Sequence, residues 1–146
     1  METRAAIIRN YLFRLLLTGV FVSAGVGKLL DLPAFAAQLQ KFGLSDPTLA
    51  ATAGRFLPSL EIVCGAALLY RPLATGATAL CLALLLLFEA ALGRGWLLGL
   101  DADCGCFGHL LGGLGIRGAF VRNLGLLAVA AFLLAHQWKS ISRPQP

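Results

Sequence analysis

Long apolar segments separated by short polar ones dominate the pattern along the chain. Four of these segments approach the roughly 20 mostly apolar residues that a transmembrane helix needs, and they cover residues 10–30, 52–70, 73–92 and 118–136. The turn at Pro72 is so short that the second and third segments must be antiparallel neighbours. We therefore predict an all-α membrane protein, a four-transmembrane-helix up-down bundle that forms one domain over residues 1–139. Residues 140–146 are predicted to be a disordered tail.

A shorter amphipathic segment follows the first span, over residues 33–42. Phe35, Leu39 and Phe42 fall on one helical face, whereas Gln38 and Lys41 fall on another. This pattern predicts a short helix that lies at the membrane interface.

Small residues recur at every fourth position of the first span, at Gly19, Ser23 and Gly27. This spacing allows a neighbouring helix to approach closely. Glycine is also common in membrane helices without such a role, and the sequence leaves both interpretations open.

Composition supports lipid as the main solvent. The chain is 58% hydrophobic and 13% charged, with a mean hydropathy of +0.81, whereas a soluble domain is about 25% charged. The net charge of +5 comes from scattered Lys and Arg residues, which argues against a nucleic-acid partner. The sequence has no nucleotide-binding loop, Ser-His-Asp order or zinc-protease motif.

The N-terminus resembles a secretory signal peptide, because Arg4, Arg9 and Arg14 precede an apolar run with small residues at 22–24. The apolar pattern continues to Leu30, and nothing after it is typical of a soluble mature domain. We interpret this segment as an uncleaved first membrane helix.

The glycine-rich loop predicted over residues 93–117 carries the most reactive groups. Cys104 and Cys106 stand one residue apart, and their neighbours in the hexapeptide are Asp103, Gly105, Phe107 and Gly108. A Cys-x-Cys pair can close into a strained disulfide, exchange with another protein's thiols or bind a soft metal. His109 could complete such a metal site with the two thiols.

Two further cysteines, Cys64 and Cys81, fall inside predicted spans. Buried free cysteines commonly behave as small hydrophobic residues. The alternative is a thiol pair between the second and third spans that relays electrons from the loop.

Up-down threading places five charged residues on the membrane face that carries the cysteine loop. We call them the charged rim: Lys28, Arg55, Glu61, Glu89 and Arg122. A lone charge in the membrane costs about 2.5–3.5 kcal/mol, so such residues usually pair. We expect Lys28 and Arg55 to lie near Glu61, and Arg122 near Glu89. The rim either fixes helix register or tunes the thiol pKa and shuttles a proton.

The charge count does not decide the orientation in the membrane, because the 12 Lys and Arg residues divide six to each side. The first helix usually dominates, and its leading arginines favour a cytoplasmic N-terminus and C-terminus. The cysteine loop would then lie outside, in the oxidising compartment.

Four motifs in order give the chain a resemblance to a known family. They are Ser23-Ala24-Gly25-Val26-Gly27-Lys28-Leu29 with Phe35 following, Leu57-Pro58-Ser59-Leu60-Glu61 with Gly65, Cys104-Gly105-Cys106-Phe107-Gly108, and Arg122-Asn123. The chain resembles the MauE/DoxX family of redox-associated four-helix membrane proteins, in its MauE-like branch. This resemblance implies a protein of the bacterial cytoplasmic membrane that acts with a thioredoxin-like partner. It also implies quinone as a candidate cofactor, although the sequence shows no quinone site.

The sequence thus predicts a membrane thiol-disulfide redox protein, a candidate oxidoreductase, in which Cys104 and Cys106 react. The alternatives are a membrane protein that binds or transports Cu(I) or Hg(II) through Cys104, Cys106 and His109, and a non-catalytic maturation or assembly factor.

Overall fold

The computed structural model of the chain describes residues 4–99 and 115–141, and the regular structure in these two ranges is entirely helical. Its five helices are α1 (Arg4–Leu30), α2 (Leu32–Lys41), α3 (Pro47–Ala67), α4 (Ala74–Leu97) and α5 (Gly115–Ile141). The predicted all-α class is confirmed. Each predicted span and the predicted amphipathic segment corresponds to one of these helices.

Three helical segments in the described part of the chain are long and apolar enough to cross a membrane: Arg4–Leu30, Ala74–Leu97 and Ile116–Lys139. The helix α3 has 21 residues but carries Arg55 and Glu61, and it is not one of the three. The predicted four-span bundle is therefore supported for three spans. The crossing by α3 stays a prediction.

Aspartates begin the two helices that follow α1. The Asp31 carboxylate accepts a hydrogen bond from the Ala34 amide (3.2 Å) at the start of α2. The Asp46 carboxylate accepts one from the Thr48 amide (2.8 Å), and Pro47 occupies the first turn of α3. These side chains satisfy amides that a helix leaves unpaired at its N-terminus.

Two boundaries differ from the predicted ones. Helix α4 continues through Gly93 and Gly95 to Leu97, and α5 begins at Gly115, so the predicted loop over 93–117 was too long. Gly95 lies inside this helix, and its missing side chain leaves room for Phe42 and Ile116 to pack against the α4 backbone. Helix α5 also extends to Ile141, so the start of the predicted tail is wrong, and residues 142–146 lie outside the described part.

Helices α1 and α3 pack closely against each other, as do α4 and α5, and α3 also contacts α2 and α4. A Cβ atom on Gly25 would lie 2.7 Å from both the Pro58 carbonyl oxygen and Ile62 Cγ1. A Cβ atom on Gly65 would lie 3.0 Å from Phe21 Cβ. At Gly19, apart from the nearby backbone of α1 itself, no atom of the described residues lies within 4 Å of the corresponding position. Close approach thus depends on Gly25 and Gly65 and not on Gly19.

A single cluster of buried side chains joins α1, α3, α4 and α5. It contains Leu17, Phe21, Cys64, Leu68, Ala77, Cys81, Leu84, Leu85, Leu126, Ala130 and Leu133. The outward faces are also apolar, with exposed residues such as Phe56 and Val63 on α3. Apolar residues on both faces are the pattern expected of helices solvated by lipid.

Candidate functional site

A buried ion pair joins α1 to α3. The Lys28 ammonium Nζ lies 2.5 Å from Glu61 Oε1, and each side chain is only 2% exposed. The predicted contact between these two residues is confirmed. A charge buried in a membrane bundle is tolerated when it is paired in this way, since the partner replaces the lost hydration.

Two aromatic rings flank the ammonium group. Lys28 Nζ lies 4.5 Å from the centre of the Phe88 ring on α4 and 5.4 Å from that of Phe35 on α2. Both distances fall in the range of cation–π attraction. The cation therefore contacts side chains from α2, α3 and α4, which fixes its position at one end of the bundle.

A second polar contact joins α4 to α5. The Asn123 amide nitrogen donates hydrogen bonds to Glu89 Oε2 (2.8 Å) and to the Leu85 carbonyl (3.1 Å). Asn123 is buried. It belongs to the Arg122-Asn123 motif, but its contact was not predicted; an amide inside an otherwise apolar span was the signal that could have indicated one.

A cavity of about 50 Å³ lies between the two polar contacts, with residues of all five helices in its wall. It has room for a few water molecules, because one needs roughly 10–15 Å³. Its lining consists of Val20, Phe21, Ala24, Lys28, Phe35, Gln38, Leu39, Phe42, Glu61, Leu85, Phe88, Ala91, Leu92, Ala119, Arg122 and Asn123. We call it the rim cavity.

Two carboxylate oxygens of the site are buried without a hydrogen-bond partner in the described part of the chain. They are Glu61 Oε2 and Glu89 Oε1. A buried acceptor of this kind costs about 1–3 kcal/mol unless water or a proton satisfies it. Glu61 also lines the rim cavity, so its second oxygen can bind water or a proton there.

Helix α2 covers the rim cavity. Phe35, Gln38, Leu39 and Phe42 all contribute to the lining. Gln38, which the sequence pattern places on a different helical face from Phe35, Leu39 and Phe42, thus also lines the cavity. The reason is that α2 begins immediately after α1 and packs against α3.

The structure brings together only part of the charged rim. Lys28, Glu61 and Arg122 line one cavity, and Glu89 is connected to it through Asn123. Arg55 is exposed, and the predicted contact with Glu61 is absent from the described residues. Six residues along an α-helix correspond to a rotation of about 240°, which turns Arg55 away from the Glu61 face.

The predicted reactive site lies outside the described residues, as does His109. It comprises Asp103, Cys104, Gly105, Cys106, Phe107 and Gly108. The two helices that flank it meet at the cavity end of the bundle. The Trp96 and Phe120 ring centres are 5.6 Å apart, and the Arg117 guanidinium lies 5.8 Å from the Trp96 ring. The chain thus leaves α4 and enters α5 beside the rim cavity.

Cys64 and Cys81 are free thiols buried in the apolar cluster of the bundle. Their surroundings are those of small hydrophobic residues. In the described ranges no group of three His, Cys, Asp or Glu side chains is arranged to hold a metal ion. The alternative metal site at Cys104, Cys106 and His109 falls outside those ranges and stays a prediction.

The family model described as "Methylamine utilisation protein MauE" matches residues 5–136 of the chain. This match runs from the start of α1 into the last turns of α5, so it includes every residue of the rim cavity. It confirms the resemblance found in the sequence motifs. No curated protein and no solved structure gives a match.

Proposed function

Because the chain belongs to the MauE family, we propose that it is a membrane protein that exchanges disulfides with a thioredoxin-like partner through Cys104 and Cys106. The thiolate of one cysteine attacks a disulfide sulfur of the partner, so that a mixed disulfide forms while the partner's S–S bond breaks and its other sulfur leaves as a thiolate. The second cysteine, as a thiolate, then attacks the mixed disulfide, which releases the partner's remaining thiolate and leaves a Cys104–Cys106 disulfide. Two electrons pass between the proteins, and the family's description suggests methylamine utilisation as the setting.

The observation that carries this proposal is the buried Lys28–Glu61 pair in a cavity at the end of the bundle where α4 ends and α5 begins. Exchange needs a thiolate, so a thiol must release its proton to a nearby acceptor. Glu61 Oε2, buried and without a hydrogen-bond partner in the described part, is the acceptor we assign. Lys28 holds the carboxylate in place and neutralises it until the proton arrives.

A quinone head group does not fit the rim cavity as the structure shows it. The cavity volume of about 50 Å³ is well below the roughly 150 Å³ that accommodates a benzene ring in an apolar core. We therefore assign the cavity to water and protons. No step of the proposed exchange depends on a quinone.

We further propose that α3 crosses the membrane, which makes four spans. Asn10 on α1 contacts His136 on α5, so the start of α1 and the end of α5 lie at the same end of the bundle. Lys28 at the end of α1 and Ala119 near the start of α5 lie at the other end. Both observations support an even number of crossings, with α3 as the fourth.

Serine variants of the loop cysteines test the exchange. In a chain whose core cysteines are replaced (Cys64→Ala, Cys81→Ala), Cys104→Ser is expected to trap a mixed disulfide with a thioredoxin-like protein through Cys106, or Cys106→Ser through Cys104. The measurement is a partner-containing band on a non-reducing gel that disappears on reduction. The variant that lacks all four cysteines is the control.

Two results would decide against the exchange. One is that neither serine variant traps a partner while both keep in-cell activity. The other is stoichiometric Cu(I) binding that depends on Cys104, Cys106 and His109 without any disulfide turnover, which would support the metal-binding alternative.

A further inference from the structure

The end of the bundle opposite the rim cavity carries a second polar cluster that the proposed exchange does not use. Asn10 Nδ2 lies 3.1 Å from His136 Nδ1, which joins the start of α1 to the end of α5. Arg14 follows Asn10 by one helical turn, and Gln137 is next to His136. Asn10 is separated from Lys28 by about 27 Å along α1, at 1.5 Å per residue.

Gln137 is the most unusual member of this cluster. Its side chain is 6% exposed, and neither Nε2 nor Oε1 has a hydrogen-bond partner among the described residues. It continues the inward face of α5 that buries Leu126, Ala130 and Leu133. An amide buried without partners costs about 1–3 kcal/mol, and leucine would fill the position without that cost.

Two more atoms at this end share the same condition. Asn10 Oδ1 and Arg14 Nε are buried without a hydrogen-bond partner in the described part of the chain. Together with Gln137 they present both donors and acceptors. A single unsatisfied atom can be an accident of packing, whereas four at one end of a bundle indicate a polar ligand.

The charges at this end specify the kind of ligand. Arg14 on α1 and Arg71 in the α3–α4 turn lie close enough to repel each other. The four carboxylates in the described ranges, those of Asp31, Asp46, Glu61 and Glu89, belong to the α1–α2 and α2–α3 connections or to the rim cavity site. Two nearby arginines that have no carboxylate beside them among the described residues favour an anion between them.

We propose that Asn10, Arg14, Arg71, His136 and Gln137 form a binding site for a phosphate anion, supplied by the head group of an acidic phospholipid or as free phosphate. Arginine donors match phosphate oxygens in charge and geometry. The Gln137 amide nitrogen adds a neutral donor, and the two amide oxygens accept from hydroxyl groups such as those of a glycerol head group. Basic pockets between membrane helices bind lipid head groups in this manner.

Thermal unfolding in nanodiscs tests this site with the whole chain. The wild-type melting temperature is expected to rise by several degrees when phosphatidylglycerol replaces part of the phosphatidylcholine. Arg14→Gln and Gln137→Leu are expected to lose this rise. Lys139→Gln is the matched control, since it removes one exposed cation from the same end of the bundle and keeps the response.

The melting temperature in pure phosphatidylcholine distinguishes a variant that has lost the binding site from one whose fold is damaged. There Gln137→Leu is expected to be at least as stable as the wild type, because the buried unpaired amide is gone. If Gln137→Leu does not fold, Arg71→Gln takes its place, since Arg71 is exposed. Adding inorganic phosphate to the phosphatidylcholine nanodiscs distinguishes the sources, because a rise there supports the site and identifies soluble phosphate as its ligand.

The proposal is overturned if Arg14→Gln and Gln137→Leu both keep the full response to phosphatidylglycerol. It is also overturned if Lys139→Gln loses the response to the same extent, because general attraction between a basic surface and an acidic bilayer would then explain it. Neither result depends on the cysteine chemistry.

Discussion

At the scale of single residues, the Lys28–Glu61 pair shows how far charge placement can be predicted. Threading four spans up and down was enough to put the two charges at one end of the bundle. Arg55 was misplaced because threading assigns a height in the membrane and not a rotation about the helix axis. The contact of Asn123 was not predicted because its partner, Glu89, is brought close only when α4 and α5 pack.

Removing one member of the ion pair is expected to destabilise the bundle strongly. Lys28→Met leaves the Glu61 carboxylate buried without its partner, at a cost of about 3–5 kcal/mol, whereas the double variant Lys28→Met, Glu61→Met recovers most of this loss. Unfolding of the wild type, both single variants and the double variant in one detergent gives the coupling energy.

Arg55→Gln serves as the control for this cycle, because Arg55 is exposed and its loss is expected to change stability by less than about 0.5 kcal/mol. A coupling energy near zero between Lys28 and Glu61 would contradict the buried pair. A stable double variant that exchanges disulfides at the wild-type rate would contradict the assignment of the proton to Glu61.

At the scale of helices, the hydrophobic pattern predicted every element but not the surfaces by which the elements meet. Glycines at Gly19, Gly25 and Gly65 look alike in the sequence. Only the packing shows that Gly25 and Gly65 lie where α1 meets α3, whereas Gly19 does not. The same limit explains why the position of Gln38 in the cavity wall was not predicted, since an amphipathic pattern does not indicate which helix a short helix will pack against.

A pair of alanine variants tests the close approach of α1 and α3. Gly25→Ala is expected to cost about 1–3 kcal/mol, because its Cβ would meet the Pro58 carbonyl and the helices must separate. Gly19→Ala adds the same methyl group to the same helix where no atom is near, so it is expected to be neutral or to stabilise by up to about 1 kcal/mol. Denaturant unfolding of both variants makes the comparison. Equal effects would show that helix propensity, and not packing, governs both positions.

At the scale of the whole molecule, the length and apolarity of the segments predicted the helical architecture. The rim cavity could not be predicted from the sequence. Its lining comes from five helices, and its volume depends on how closely they pack. The cluster at the opposite end was missed for the same reason, because Asn10 and His136 are close in space and distant in the chain.

Thiol labelling in whole cells tests the proposed orientation. With Cys64 and Cys81 replaced by alanine, a membrane-impermeant maleimide is expected to modify Cys104 and Cys106 after mild reduction. Epitope tags at the two termini should stay protected until the membrane is permeabilised. Labelling of the termini in intact cells, or of the cysteines only after permeabilisation, would reverse the orientation.

The position of α5 in the rim cavity has a consequence for how the protein is made. Ala119, Arg122 and Asn123 are synthesised after every other part of the cavity wall, so α4 is complete before Glu89 has its amide partner. In a nascent chain that stops before α5, the Glu89 carboxylate lies in the membrane without the Asn123 hydrogen bond. Such truncated chains are expected to be held by membrane insertases or degraded, and full-length chains to be released only once the last helix has docked.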